Sequence, residues 1–346
     1  MSSLKGMTSV KPYIEGTPMK STPLWLFASV FFFLSCNRKA QDPLPSWNET
    51  PVRQSILKYI SEDAKSIPVE DRIAVFDMDG TIACEMPLWY EMYAAVYGLN
   101  LQSAKDPGLL GLPEYQYAGK LAINPADTSV SNHFDAYMDS MVWKAYAGID
   151  HEVYVDSTRS YLSRTKDPKY GLFLADMFYQ PMLELISYLK ENEFTIYIVS
   201  GSMQGCVWSV CPQVLGIDRA HLLGTRQMMV PVYDTKNHRT QFVIGKGVFS
   251  PTNDGGGKSL NIYSRIGKVP VFAFGNTMGD FGMFHLTSTS KYPHVVYMLN
   301  HNDSLREYAY PPYYGTAVPH WKDSLEVNHW NQVNMAQEFK TVWMNK

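Results

Sequence analysis

The 346-residue sequence is poor in charge, in cysteine and in long apolar runs. Only 18% of its residues are charged, and 30 Lys and Arg against 33 Asp and Glu leave a formal net charge of −3. Nucleic-acid binding needs an excess of clustered Lys and Arg to neutralise phosphates, and this balance supplies none. Low charge combined with 45% hydrophobic content also excludes a disordered chain, because so much apolar surface can offset the entropy of ordering. Four cysteines, none at zinc-site spacing, exclude a zinc scaffold. No run reaches the roughly 20 apolar residues that a membrane-spanning helix requires, and there is no repeat or low-complexity tract. What is plentiful is aromatic: 23 Tyr, 16 Phe and 8 Trp. At about 150 residues per domain, the length suggests one large domain with an insertion, or two domains.

The N-terminal region has a separate character. A cationic start at Met19-Lys20 leads into an apolar run from Pro23 to Leu34 and then Leu34-Ser35-Cys36. The run is too short to span a bilayer and reads as the core of a secretory signal, with Met19 the better start. Cys36 after Leu-Ser resembles the lipobox of bacterial lipoproteins, although Phe33 stands where an aliphatic residue is usual. Residues 1–35 are therefore expected to be a signal segment and 36–50, with Pro43 and Pro45, a flexible tether to a lipid on Cys36. The lipoprotein would face the periplasm or cell surface; the alternatives are a plain signal peptide, giving a soluble periplasmic protein, or an uncleaved anchor. Of the other cysteines, Cys84, Cys206 and Cys211, an oxidising compartment would permit a disulfide, but their odd number favours buried free thiols.

Beyond the tether, apolar runs punctuated by polar clusters indicate a parallel α/β sheet. Arg72–Phe76 ends at Asp77-Met78-Asp79-Gly80-Thr81; Phe194–Val199 ends at Ser200-Gly201; Val269–Phe274 ends at Gly275-Asn276; His294–Leu299 follows. Helical spacing over Pro181–Lys190 and Ser259–Ile266 alternates with these strands, which predicts a doubly wound parallel sheet. Ligands of such sheets bind beyond the carboxyl ends of the strands, where the polar clusters lie. Residues 86–178 interrupt the alternation. A connection that long needs its own structure, so it is read as a mostly helical inserted cap, with the core in 51–85 and 179–346.

Asp77-Met78-Asp79-Gly80-Thr81 resembles the first motif of the haloacid dehalogenase-like superfamily in its phosphatase form, DxDGT. Two carboxylates two residues apart at a strand end can converge on one small volume, one to attack phosphorus and the other to give and take protons. The resemblance extends to Ser200-Gly201, to Lys258 in Asp254-Gly-Gly-Gly-Lys-Ser259, and to Gly275-Asn276-Thr-Met-Gly-Asp280, in the family's order. Together with Glu85-Met-Pro-Leu88 and Tyr179-Gln-Pro-Met-Leu-Glu-Leu185, these motifs look like a secreted bacterial subgroup related to phosphoserine phosphatase, over residues 70–345. Two features depart from or compete with the pattern. Asn276 stands where an Asp is common, and Lys246 competes with Lys258, which is preferred because its helix leads directly into a strand. A nucleotide-binding P-loop is excluded at Gly257-Lys258-Ser259, since Thr252 occupies the first glycine position.

The resemblance implies a phosphomonoester hydrolase with Asp77 as nucleophile and Asp79 as acid and base. It implies phosphate held by Ser200, Gly201 and Lys258, and Mg²⁺ held by Asp77, Asp79 through its backbone carbonyl, and Asp280. The partner is then a small phosphomonoester, with the membrane touched only through the lipid anchor. Alternatives are a phosphomutase of the same superfamily or a non-enzymatic lipoprotein that binds a phosphorylated ligand; intact Asp77, Asp79, Ser200, Lys258 and Asp280 argue against the latter. Glu85 is a candidate for substrate or cap contact, or an acid complementing a helix N-terminus. Trp89, Tyr90, Tyr93 and Tyr97 fall at helical spacing, as packing or as a pocket for a cationic or aromatic leaving group. His133, His285 and His301 lack ligand spacing and are assigned to surface or core.

Overall fold

A computed structural model describes residues 42–310 and 321–344, apart from the side chains of 128–136 and 321–322. The expected signal segment, Cys36 and the first part of the tether lie outside the described residues. In chain order the elements are α1 (Pro51–Ser61), β1 (Ile73–Phe76), α2 (Tyr90–Lys105), α3 (Pro113–Ile123), α4 (Thr128–Tyr146), α5 (His151–Arg164) and α6 (Gln180–Glu191). There follow β2 (Thr195–Met203), α7 (Gln204–Leu215), β3 (Leu222–Thr225), β4 (Gln227–Asp234), β5 (Arg239–Val248), α8 (Gly256–Ile266) and β6 (Phe272–Gly275). The chain continues through α9 (Phe281–Ser288), β7 (Val295–Asn300), α10 (Trp321–Asn328), β8 (Asn331–Asn334) and α11 (Met335–Glu338). Among the described residues, no helix is long and apolar enough to cross a membrane.

Six strands form one parallel sheet in the order β3-β2-β1-β6-β7-β8, so the doubly wound α/β fold read from the sequence is the one observed. Its strands alternate between two apolar layers, as a period of two requires. Ala74, Phe76, Ile196, Ile198, Phe272, Phe274 and Tyr297 face a core that also holds Leu185, Ile186 and Leu189 of α6. Ile73, Val75, Val199, Ala273 and Val296 face the other, against Ile262 of α8 and Met283 and Phe284 of α9. In α6 the buried residues Met182, Leu185, Ile186 and Leu189 recur at one helical face, which explains why it lies flat on the sheet. Part of the aromatic surplus is this core: Phe76 lies 5.6 Å from Phe272 and 6.1 Å from Phe274, and Phe274 stacks on Tyr297 at 5.7 Å.

Residues 86–178 contain α2 to α5. A second excursion joins them: β4 and β5 form an antiparallel hairpin outside the main sheet, and Ile244 exchanges backbone hydrogen bonds with Gly148 and Ile149 at 2.8 and 2.9 Å. The sequence reading gave no sign of this hairpin. The tether expectation is corrected over residues 42–50. Leu44 and Trp47 are buried, the Trp47 indole N–H donates to Pro181 O at 2.9 Å, and its ring meets Phe339 edge-on at 5.1 Å. An apolar pair anchors this stretch to α6 despite the two prolines beside it. Cys84, Cys206 and Cys211 are buried free thiols.

Candidate active site

The ends of β1, β2 and β6 lie side by side, because β1 pairs with both of the others in parallel. That pairing brings Asp77, Ser200 and Asn276 to one edge of the sheet, and α8 adds Lys258. The Lys258 ammonium is buried and donates to Asp77 Oδ1 at 2.5 Å, Asp280 Oδ1 at 2.7 Å and Val199 O at 2.7 Å. Lys246, the competing candidate, is exposed on β5. Asp280 is fixed from its other oxygen, which accepts from the amides of Asn276 and Thr277 at 2.8 and 2.9 Å. Gly275 makes that approach possible, since any Cβ there would collide with the Asp280 carboxylate.

Asp79 belongs to a separate group. Its Oδ2 accepts from Ser202 Oγ at 2.8 Å and from Ser200 Oγ at 3.3 Å, while the Ser202 amide donates to Ser200 Oγ at 3.1 Å. Asp79 Oδ1 is buried and has no hydrogen-bond partner among the described residues. Gly201, between the two serines near the carboxyl end of β2, is exposed. Ser200 was expected from the motif; Ser202 was not, although a period of two places both serines on one face of β2. Behind them, buried Asn253 donates to Ser200 O at 2.9 Å and Leu223 O at 2.7 Å, and Thr225 Oγ1 donates to Gly201 O at 2.6 Å.

The turn from Asp77 to Ala83 is held from below. Gly80 has φ +73°, and a side chain there would collide with Asn276 and Glu85, so glycine is required twice over. Thr81 Oγ1 lies 3.3 Å from both Asp77 Oδ2 and Asn276 Oδ1. The Asn276 amide donates to Glu85 Oε1 at 2.7 Å. Glu85 is therefore engaged by the β6 loop and lies before α2, whose first-turn acid is Glu91. Buried Glu91 accepts from the Met203 amide at 2.8 Å, linking α2 to the end of β2. The α2 aromatics resolve as packing: Tyr90 donates to Leu174 O at 2.8 Å, Tyr93 is buried, and Tyr97 stacks on Tyr161 at 4.3 Å. His301, assigned to surface or core, has a buried ring whose Nε2 lies 2.7 Å from Gly80 O.

Burial dominates the electrostatics here. It pushes the Asp77 carboxyl well above the usual carboxylate range, with Lys258 opposing and the charges of Asp280 and Asp79 adding. It raises Asp79 to about 6 against the bonds from Ser202 and Ser200. For Lys258 burial acts downward, but the charges of Asp280 and Asp77 outweigh it and hold the ammonium above its ordinary pKa. Lys258 is thus shared between the carboxylates of Asp77 and Asp280.

Asp77, Asp79, Ser200, Ser202 and Lys258 thus gather at the carboxyl edge of the parallel sheet. The family model for haloacid dehalogenase-like hydrolases matches residues 74–285, and the chain belongs to that family. No curated protein sequence matches it. Among solved structures, a conserved protein of unknown function from Anaerococcus prevotii DSM 20548 is similar at a TM-score of 0.50 and 14% identity, covering 81% of this chain and 91% of that one. A family hydrolase from Salmonella enterica serovar Typhi gives 0.40 and 14%, covering 84% and 78%. A substrate-bound phosphoserine phosphatase gives 0.35 and 12%, covering 66% and 86%. At 14% identity the likeness to the Anaerococcus protein is one of fold.

Proposed function

We propose that the protein is a Mg²⁺-dependent phosphomonoester hydrolase that works through an aspartyl-phosphate on Asp77 and acts on a small exported substrate. The observation that carries this reading is the division of labour between two neighbouring carboxylates. Asp77 is bonded to a buried cation, whereas Asp79 is tethered through Oδ2 by two serines with Oδ1 left unpartnered. Asp77 attacks phosphorus as the bond to the leaving oxygen breaks, and Asp79 delivers its proton to that oxygen. Water then gives a proton to Asp79 and attacks the phosphorus of the aspartyl-phosphate, which releases inorganic phosphate and restores Asp77. Lys258, the Ser200 hydroxyl and the backbone at Gly201 supply positive partners for the phosphoryl oxygens, the main catalytic contribution in phosphoryl transfer.

The residues present suit Mg²⁺. Among the described residues no three His, Cys, Asp or Glu side chains gather around one point. Asp77 and Asp280 nevertheless converge on Lys258 Nζ, and Mg²⁺ takes one or two carboxylates with waters completing its shell. Asp77, Asp280 and the Asp79 main-chain carbonyl would hold it, and when bound it offsets repulsion between the anionic nucleophile and the phosphate. Export and a lipid on Cys36 are supported by the N-terminal sequence alone. The test is phosphate release from p-nitrophenyl phosphate, then from phosphocholine, phosphoserine and nucleotides, with Mg²⁺ and with a chelator. Release that requires Mg²⁺ supports the reading; phosphate binding without turnover of any ester contradicts it.

A further inference from the structure

The segment after β7 lies beyond the residues matched by the family model, yet it reaches the catalytic turn. Gly80 O sits one residue after Asp79 and accepts no turn hydrogen bond: Met78 O takes the amides of Thr81, Ile82 and Ala83, and Ala83 O takes that of Gly80. His301 Nε2 lies 2.7 Å from that free carbonyl. The other ring nitrogen, Nδ1, lies 3.3 Å from Glu307 Oε2, and Glu307 is fully buried. Its second oxygen accepts from Tyr179 OH at 3.1 Å and Cys84 Sγ at 3.3 Å. Tyr310 stacks on the imidazole at 3.9 Å, and Lys169 Nζ donates to the Glu307 main-chain carbonyl at 2.9 Å. A carbonyl can only accept, so a proton on Nε2 is needed for the contact with Gly80. An ionised Glu307 calls for a second proton on Nδ1.

We propose that His301, oriented by Glu307, is a positioning residue of this enzyme: its Nε2–H grips the Gly80 carbonyl and thereby sets the Asp77–Thr81 turn on which both carboxylates depend. The ring's nitrogens meet Gly80 O and Glu307 rather than the Asp77 or Asp79 carboxylate. Its effect passes through the Gly80–Thr81 peptide to Asp79 on one side and to Thr81, which faces Asp77, on the other. The environment agrees: burial acts against the charged ring, but the bond and charge of Glu307 outweigh it and raise the pKa of His301.

The experiment compares His301→Met, which keeps side-chain bulk but cannot donate, with His301→Gln, which can donate from a similar place. Its kinetic half rests on the phosphatase reading. Turnover in His301→Met is expected to fall about tenfold or more with KM unchanged, as for a misplaced catalytic group, and His301→Gln to regain most of it. Equal losses in both variants, or none in His301→Met, would overturn the proposal. Amide hydrogen exchange of Thr81, Ile82 and Ala83 is read in parallel and needs no substrate. Faster exchange in His301→Met that His301→Gln reverses supports the proposal, and unchanged protection in His301→Met overturns it, even if the wild type hydrolyses no ester. Should His301→Met not fold, ¹⁵N spectra of the wild-type histidines decide: a protonated Nε2 at His301 is expected, and an unprotonated one is fatal.

Discussion

The side-chain amide of Asn276 lies 2.7 Å from the carboxylate of Glu85, across the turn that carries Asp77 and Asp79. The contact gives a physical reason for an asparagine where an acid is common in the motif. One amide group donates to Glu85 while its oxygen faces Thr81 Oγ1, which an aspartate could not do without setting two carboxylates against each other. Asn276→Asp is therefore expected to lower stability by roughly 1–3 kcal/mol, the cost of a buried polar mismatch. Adding Glu85→Gln, which supplies a donor to the new carboxylate, should recover most of that loss. Urea unfolding of the two single variants and the double variant reads the coupling, and additive losses would show that the pair does not interact as described.

Ser202 holds the acid. Ser202→Ala removes the 2.8 Å bond to Asp79 and leaves only the 3.3 Å contact from Ser200. Turnover should fall about tenfold, equivalent to roughly 1.4 kcal/mol, with KM little changed. Ser202→Thr retains the hydroxyl and should stay near the wild type. Steady-state kinetics on one phosphomonoester separates these outcomes, and full activity in Ser202→Ala would remove Ser202 from the account.

Lys258 balances Asp77 and Asp280 inside the protein. Lys258→Met leaves two buried carboxylates without their cation, and the expected cost is about 3–5 kcal/mol. A divalent cation that binds those carboxylates should then raise the melting temperature of Lys258→Met more than that of the wild type. Thermal unfolding with Mg²⁺ and with a chelator tests both parts, and a variant as stable as the wild type in chelator would contradict the arrangement.

Glu91 makes the stability depend on pH. Burial raises its pKa to about 8, with the Met203 amide acting in the opposite direction, against about 4.3 in an unfolded chain. Between those values the folded protein holds a proton that the unfolded chain has lost. Stability contributed by Glu91 is therefore present below the unfolded value and declines as pH rises towards 8, at up to about 1.4 kcal/mol per unit. Glu91→Gln keeps an oxygen for Met203 N–H and should flatten the melting temperature between about pH 5 and 8. A slope identical to the wild type would assign the pH dependence to other groups.

The strand ends were legible because β1 and β6 are buried on both faces, which leaves short, uniform apolar runs before polar turns. Those runs located three of the motifs, which the resemblance to the family's first motif then identified; Lys258 was found through the same resemblance, since it opens α8 rather than ending a strand. β4 and β5 escaped because their outward residues are themselves apolar, Val230, Val232 and Phe242 among them, so no alternation marks a buried face. Leu44 and Trp47 were the signal against a free tether, outweighed in the reading by two prolines. Nothing local marks His301 and Glu307: their roles arise from a contact between Gly80 and a residue more than two hundred positions later. Ser202 could have been found, since it shares a strand face with Ser200.

The central claim is that Asp77 becomes covalently phosphorylated. The most direct measurement is hydrolysis of p-nitrophenyl phosphate in Mg²⁺ by Asp77→Asn, with its fold checked by thermal unfolding. The side chain is nearly isosteric but lacks the nucleophilic carboxylate, so turnover should disappear while the variant remains folded. Substantial residual activity in folded Asp77→Asn would contradict the account.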